Sequence, residues 1–168
     1  VTELAQQMSC ERVSLGLLKG DDVRIKALSH SAQFGEKMNL IRSIEAAMDE
    51  AILQNRSLVY PVAGGADEVL ICREHESLSD DFGAGSILTI PLFNMDQYYG
   101  AITLERGSDH PFSSGEVTVC QQLAALAGAA LREKWINDRP LWAKIKDAAL
   151  LQVQRMFGPK YVLRKIVT

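Results

Sequence analysis

The chain has 168 residues, of which 47% are hydrophobic and 23% are charged, and its formal net charge is −3. This balance is typical of a folded globular protein and excludes a disordered chain. No apolar run approaches the roughly 20 residues that cross a membrane, no signal peptide is recognisable, and the first residue, Val1, predicts that the sequence is part of a longer polypeptide.

The first third of the chain predicts a short helix, a β-hairpin and a longer helix. The opening TELAQQMSC has apolar residues four apart, whereas RVSLGLL and VRIKALSH alternate apolar and polar residues and are joined by the turn-forming KGDD. The stretch NLIRSIEAAMDEAILQN repeats apolar residues at helical spacing, with Asn39 as its predicted N-cap and Asn55 at its predicted end.

The middle of the chain predicts four further strands. A short strand in SLVYPV ends at Pro61, another follows in EVLICRE, and HESLSDDFGAG is predicted to be a loop or a short helix. SILTIPLF and YYGAITLER predict two strands joined by a turn. Pro91 lies inside the first of these, and we expect it at a sheet edge or a bulge because proline has no N–H.

A capping box predicts the start of the last helix of this region. Ser113 and Glu116 have the S-x-x-E spacing, in which the hydroxyl and the carboxylate each accept a hydrogen bond from the other residue's backbone N–H. The Ala- and Leu-rich helix that follows has a face of small and apolar residues, formed by Val119, Leu123, Leu126, Ala127 and Ala130. The order of elements indicates an α+β fold with an antiparallel sheet and helices on its faces.

SILTIPLFNMDQYYGAITLERGSDHPFSSGEVTVCQQLAALAGAAL resembles the C-terminal half of a GAF domain, and CERVSLGLLKGDDVRIKALSHS resembles the first β-hairpin of that family. The resemblance covers residues 1–135. It implies a GAF-like (profilin/PAS-like) antiparallel sheet of about six strands flanked by helices, with an extra C-terminal helix in this chain. It also implies a non-enzymatic sensory or regulatory domain that binds a small ligand or mediates dimerisation. Neither the N-K-F-D-E signature of cyclic-nucleotide-binding members nor a bilin-attachment cysteine is recognisable, so the cofactor is unknown.

Residues 136–168 are predicted to form a helical, basic linker. Residues 1–131 contain 9 Lys/Arg and 18 Asp/Glu, which gives −9, whereas residues 132–168 contain 9 and 3, which gives +6. RPLWAKIKDAALLQVQRMFGPKYVLRKI resembles the segment after an N-terminal GAF domain in bacterial membrane-fusion proteins of the periplasmic adaptor or secretion type, where a transmembrane helix comes next. This implies the cytoplasmic fragment of an inner-membrane protein, with cations that contact anionic lipid. A dimerisation stripe and a docked helix with a solvated basic face are the alternatives.

Catalytic and metal-binding motifs are not recognisable. The three histidines have no ligand-type spacing, there is no G-x-S-x-G elbow, and the glycine pairs lack the lysine of a P-loop. We therefore predict no catalytic residue and no metal site. His75 lies in an acidic stretch, where a metal site or catalytic dyad competes with a solvated loop, and we favour the loop.

A ligand pocket is predicted on one face of the sheet, under residues 61–85. Its candidate lining is apolar with a few polar groups and consists of Tyr60, Val62, Ile71, His75, Phe82 and Ile90. The alternative is that these residues fill the core.

Cys10, Cys72 and Cys120 are widely separated and form no CxxC motif, which fits a reducing compartment and a cytoplasmic location. We expect each to act as a small buried hydrophobe, with Cys72 in a strand and Cys120 on a helix. Because some GAF-like domains reduce oxidised methionine with cysteine, a reductase that uses Cys72 is the enzymatic alternative. A purely structural dimerisation module is the other alternative.

The expected partners are a second copy of the chain, a small-molecule ligand and a membrane surface. Nucleic acid is not expected, because the main domain is acidic and would repel phosphates.

Overall fold

A computed structural model describes residues 1–29, 37–62, 70–94 and 97–137. The elements, in chain order, are α1 (Thr2–Gln7), β1 (Arg12–Lys19), β2 (Asp22–Leu28), α2 (Lys37–Leu53), β3 (Leu58–Tyr60), α3 (Arg73–Phe82), β4 (Ser86–Asn94), β5 (Gln97–Arg106) and α4 (Ser114–Asn137). The strands form a five-stranded sheet in the order β2-β1-β5-β4-β3, and all neighbours are antiparallel. The predicted α+β class, the first hairpin and the β4–β5 pair are confirmed.

The strand predicted in EVLICRE is wrong in the part that the structure describes. Arg73 already belongs to α3, and Cys72 is its N-cap rather than a strand residue. The apolar residues of this stretch suggested a strand. However, His75, Leu78 and Phe82 recur at helical spacing, and acidic residues in the first turn favour the helix dipole. The sheet therefore has five strands within the described residues instead of about six.

The predicted end of α2 at Asn55 is confirmed, whereas its predicted N-cap is wrong. Asn55 has φ 55°, its N–H bonds to the Ile52 carbonyl, and the next N–H bonds to the Ala51 carbonyl. These are the bonds of a Schellman motif with asparagine in the left-handed position. At the other end, the Asn39 cap is wrong, because α2 already begins at Lys37, two residues before Asn39.

The main core lies between the sheet and the pair α2 and α3. It includes Ile44, Met48, Leu78 and Ile87, all fully buried. Gly16 of β1 allows α2 to pack closely here, because a Cβ at this position would lie 2.5 Å from the Met48 Sδ. The opposite face of the sheet is covered by α1 and the first part of α4.

Helix α2 also closes one edge of the sheet. The Val23 N–H donates to Asp49 Oδ1 at 3.0 Å, and the Ile25 N–H donates to Glu45 Oε1 at 2.9 Å. The two acceptors are four residues apart on α2, so they occupy one helix face. Carboxylates thus satisfy backbone donors that an edge strand would otherwise expose.

Two local predictions in the second half are confirmed. The Ser113 N–H donates to Glu116 Oε2 at 2.9 Å, and the Glu116 N–H donates to Ser113 Oγ at 3.3 Å, which is the predicted capping box. Pro91 pairs with Ala101 beyond the end of β3 and next to a register shift in β4, as expected for an edge or bulge.

The chain divides into two compact units, residues 1–130 and 131–168. The described part of the second unit is the end of α4, so the predicted basic helix from residue 139 onward lies outside the described residues. None of the helices in the described ranges is long and apolar enough to cross a membrane.

Candidate functional site

A buried chain of four polar side chains connects α2 and α3 to the sheet. His75 of α3 is fully buried, and its Nδ1 lies 2.6 Å from Oε2 of Glu50 in α2. Its Nε2 lies 2.8 Å from Oγ1 of Thr89 in β4, and that hydroxyl lies 3.1 Å from Oγ1 of Thr103 in β5. We refer to these residues, Glu50, His75, Thr89 and Thr103, as the polar chain.

Glu50 caps α3 from a neighbouring helix. Its carboxylate accepts the backbone N–H of Glu74 at 3.1 Å and of His75 at 3.4 Å, in the first turn of α3, where Cys72 offers no side-chain cap. Burial raises the pKa of the Glu50 carboxyl, but the hydrogen bonds from the His75 ring and from these amides outweigh it and lower the pKa overall. Glu50 is therefore ionised at neutral pH, at the positive end of the α3 dipole.

The contacts of His75 define its tautomer when the ring is neutral. A carboxylate facing Nδ1 requires a proton there, so Nδ1–H donates to Glu50 and Nε2 accepts the Thr89 hydroxyl proton. The Thr89 oxygen then accepts the Thr103 hydroxyl proton. Each contact in the polar chain thus joins one donor to one acceptor.

The order carboxylate, imidazole, hydroxyl is also that of a catalytic triad. Here, however, His75, Thr89 and Thr103 each have 0% relative exposure, so the hydroxyl has no access to a substrate. The polar chain instead fastens α2 and α3 to the sheet. The prediction that His75 lies in a solvated loop is wrong, because the residue is on a helix face that packs inward.

Three of the six residues predicted to bind a ligand lie in or beside the main core. Tyr60 and Phe82 are half-buried and pack against it, and His75 belongs to the polar chain. These three share the side of the sheet that faces α2 and α3. Their contacts are those of core residues, and a role in ligand binding stays a prediction.

The other three predicted residues differ in their burial and in the face of the sheet that they occupy. Val62 and Ile71 are exposed, at 41% and 61%. Ile90 is buried, but it lies next to Thr89 in a strand and therefore points to the opposite face of the sheet. The six residues thus do not converge on one cavity.

Two concave spaces are relevant to ligand binding. A groove of about 450 Å³ lies on the outer side of α2 and α3, with Leu53, Ile71 and Arg73 among its lining residues. A cavity of about 240 Å³ lies on the other face of the sheet, between α1 and α4. The groove is within the size range of small-molecule sites, which is about 300–1,000 Å³.

An ion pair holds the start of α4 against the sheet. Arg106 is buried, its Nη1 lies 2.9 Å from Glu116 Oε1, and its guanidinium carbon lies 4.2 Å from the centre of the Phe112 ring. The backbone N–H and hydroxyl of Ser113, followed by Arg106, lower the pKa of Glu116 to about 2. The capping box and the ion pair therefore share one carboxylate.

The model of the GAF domain family matches residues 1–131 of the chain. The chain belongs to the GAF domain family. The predicted family is thus confirmed, whereas the boundary predicted at residue 135 stays a prediction.

Solved structures show the same GAF fold. One is the GAF domain/HD domain protein from Geobacter sulfurreducens, at 15% identity and a TM-score of 0.59, covering 82% of this chain and 91% of that one. Another is a domain of a two-component sensor histidine kinase protein from Sinorhizobium meliloti 1021, at 15% identity and a TM-score of 0.56, covering 83% of this chain and 92% of that one. A third is a protein in its far-red absorbing dark state with bound biliverdin IXa. It has 14% identity and a TM-score of 0.53, covering 78% of this chain and 84% of that one. The chain matches none of the curated proteins with which it was compared.

Burial affects the three cysteines of this GAF domain. Burial raises the pKa of Cys10, Cys72 and Cys120, which disfavours the reactive thiolate. Cys10 and Cys120 are buried as predicted, and Cys120 lies on α4. Within the described ranges, no three His, Cys, Asp or Glu side chains are grouped so that they could hold a metal ion.

Sequence reasoning missed three residues of the polar chain. Glu50 interrupts the apolar face of α2 beside Ala47 and Ala51, and Thr89 and Thr103 interrupt apolar strands. A polar residue at a core position needs a buried partner. That signal, applied to all three positions, indicates a shared network.

Proposed function

We propose that this GAF domain is a non-catalytic regulatory module whose output element is α4. The observation that carries the proposal is a stripe of exposed apolar side chains on that helix. Val119, Leu123 and Leu126 are 49%, 45% and 77% exposed, although they are large and hydrophobic. The described part of the predicted face for close packing is therefore open to solvent in a single chain.

The spacing of this α4 stripe favours pairing with a second copy. Val119, Leu123 and Leu126 are four and three residues apart, which is the a/d spacing of a helix pair. A self-complementary pairing of two α4 stripes would bury all six side chains around a two-fold axis. In such a dimer, a change in the packing of α4 in one chain reaches the other directly.

Light scattering of the 168-residue chain tests the dimer. We expect dimers at micromolar concentration, and we expect Leu126→Glu to shift them to monomers because it places a charge in the stripe. Gln121→Glu, an exposed change on the side of the helix away from the stripe, is the control and should leave the dimer intact. A wild-type chain that stays monomeric at high micromolar concentration would refute the α4 dimer.

A small ligand is part of the proposal. The groove on the outer side of α2 and α3 has the required size, and Ile71, one of the predicted ligand residues, lines it. Glu50, the α2 residue of the polar chain, also lines this groove, so a ligand here would contact it. Titration with anilinonaphthalene sulfonate tests the site: Ile71→Ser should weaken binding of the dye, whereas Val62→Ser should not. Equal effects of the two changes would argue against the groove.

We also propose that the domain lies on the cytoplasmic side of an inner membrane. Support comes from the excess of cations in residues 132–168, which would contact anionic headgroups at about 1 kcal/mol each. The test is flotation with vesicles that contain phosphatidylglycerol, at low and high salt. Changing Lys160, Arg164 and Lys165 to glutamine should weaken binding by about 3 kcal/mol, roughly a hundredfold, whereas the same change at Lys19, Lys26 and Arg56 should have a much smaller effect. Binding that is insensitive to salt would contradict the proposal.

Burial raises the pKa of Cys72, which disfavours the thiolate that the reductase alternative needs. Its assay is the turnover of methionine sulfoxide with a dithiol reductant. We expect no turnover above that of Cys72→Ser, and turnover that depends on Cys72 would overturn the non-catalytic assignment.

A further inference from the structure

The cavity between α1 and α4 lies on the sheet face opposite to the polar chain. It measures about 240 Å³ and is bounded by three layers: α1, the sheet and α4. The described lining residues are Leu4, Gln7, Ile90, Ile102, Leu104, Cys120, Leu123 and Ala124. The space is larger than the core cavity of about 150 Å³ that accepts benzene, and its exposed rim residues Gln7 and Leu123 leave it accessible from solvent.

The sequence explains why the cavity exists. Cys120 and Ala124 are the α4 residues that are buried against the sheet, one helical turn apart, and both are small. The sheet contributes Ile90, Ile102 and Leu104, which cannot fill the gap from below. Since α1 is only six residues long, it closes little of the remaining side.

The walls select a neutral, apolar occupant. Six of the eight lining residues are apolar, and the other two, Gln7 and Cys120, carry uncharged polar groups. Burial raises the pKa of the Cys120 thiol, so that it stays protonated at neutral pH. A small hydrocarbon or aromatic that binds here removes its own apolar surface and that of the walls from water, which is favourable.

We infer that the cavity between α1 and α4 is a binding site for a small neutral aromatic or branched hydrocarbon. This site and the groove on α2 and α3 share no lining residue, so they are separate. Of the six residues predicted to bind a ligand, only Ile90 lines this cavity. Its roof is α4, the helix that also carries the exposed apolar stripe. An occupant would therefore touch Leu123 and the underside of the proposed output helix, although binding itself does not depend on that role.

Calorimetric titration of the 168-residue chain with indole tests the site. We expect saturable binding of one indole per chain. Ala124→Leu places a larger side chain in the cavity and should weaken binding by at least about tenfold. Ala125→Leu is the matched control, because Ala125 is the exposed neighbour on the same helix, and it should bind as the wild type does.

Other results of the titration would overturn the inference or require a second variant. No saturable binding to the wild type, or equal binding by Ala124→Leu, overturns the inference. If Ala124→Leu fails to fold by circular dichroism, Cys120→Leu fills the same space from the preceding turn and takes its place. Indole binding that disappears as the chain self-associates would assign the cavity to a second copy, and would overturn the inference too.

Discussion

Replacing His75 by leucine should strongly destabilise the domain. The ring makes one hydrogen bond to an ionised carboxylate and one to a hydroxyl, at 2.6 and 2.8 Å. Hydrogen bonds to charged groups contribute about 1.5–3 kcal/mol and neutral ones about 0.5–1.5 kcal/mol. Leucine restores apolar burial but leaves Glu50 without its main side-chain partner in a buried position. We expect the free energy of unfolding to fall by about 3 kcal/mol at pH 7.

Urea unfolding monitored by circular dichroism measures this loss, and the denaturant slope should stay unchanged. His110→Leu is the control, because the His110 side chain is 73% exposed, and its effect should stay within about 0.5 kcal/mol. A loss below about 1 kcal/mol for His75→Leu would show that the polar chain contributes little to stability.

The same variant should show a defined pH dependence. The pKa of Glu50 is lowered in the folded wild type, so its contribution to stability is complete above the ordinary value of 4.5 and is lost as the pH falls through the folded-state pKa. Without the His75 ring, burial remains and favours the protonated carboxyl. The stability gap between wild type and variant should therefore narrow from pH 7 to pH 3. A gap that is constant over this range would refute the assignment of Glu50 as the ionised partner.

Two further changes test the packing of β1 and the start of α4. Gly16→Ala should lower stability by about 1–3 kcal/mol, because its Cβ would lie 2.5 Å from the Met48 Sδ. Gly115→Ala, whose Cβ meets nothing within 4 Å, should be neutral or stabilising in the same urea assay. Ser113→Ala should cost about 1 kcal/mol and raise the pKa of Glu116 from about 2, as NMR titration would measure. Stability from Glu116 is present above its ordinary pKa of 4.5 and is lost toward about 2, so an unchanged pKa would contradict the capping role.

The sequence predicted the elements whose signals are local. The β1–β2 hairpin follows from alternation and a turn, and the capping box at Ser113 follows from spacing alone. The family was identified by the resemblance of two stretches of sequence to a GAF domain. By contrast, only the start of α3 was missed, because Arg73 follows the apolar run at Leu70 and Ile71, which was interpreted as a strand. The rest of α3 lies in the stretch predicted to be a loop or a short helix, and the helix is the alternative that the structure shows.

The polar chain could not be derived in the same way. Glu50 and His75 are 25 residues apart, and Thr89 and Thr103 are adjacent only through strand pairing. A polar residue in an apolar stretch indicates that it has a buried partner, but not which residue the partner is. The pairing itself depends on tertiary packing, which no period in the sequence reports.

The carboxylates on α2 that bond to β2 restrict how this protein can associate. An incoming strand from another molecule would need the amides of Val23 and Ile25, and both are already bonded to Asp49 and Glu45. A newly made chain is therefore vulnerable to edge-to-edge aggregation at β2 only until α2 has docked. The docking of one helix thus completes the core and, in the same step, removes an aggregation site.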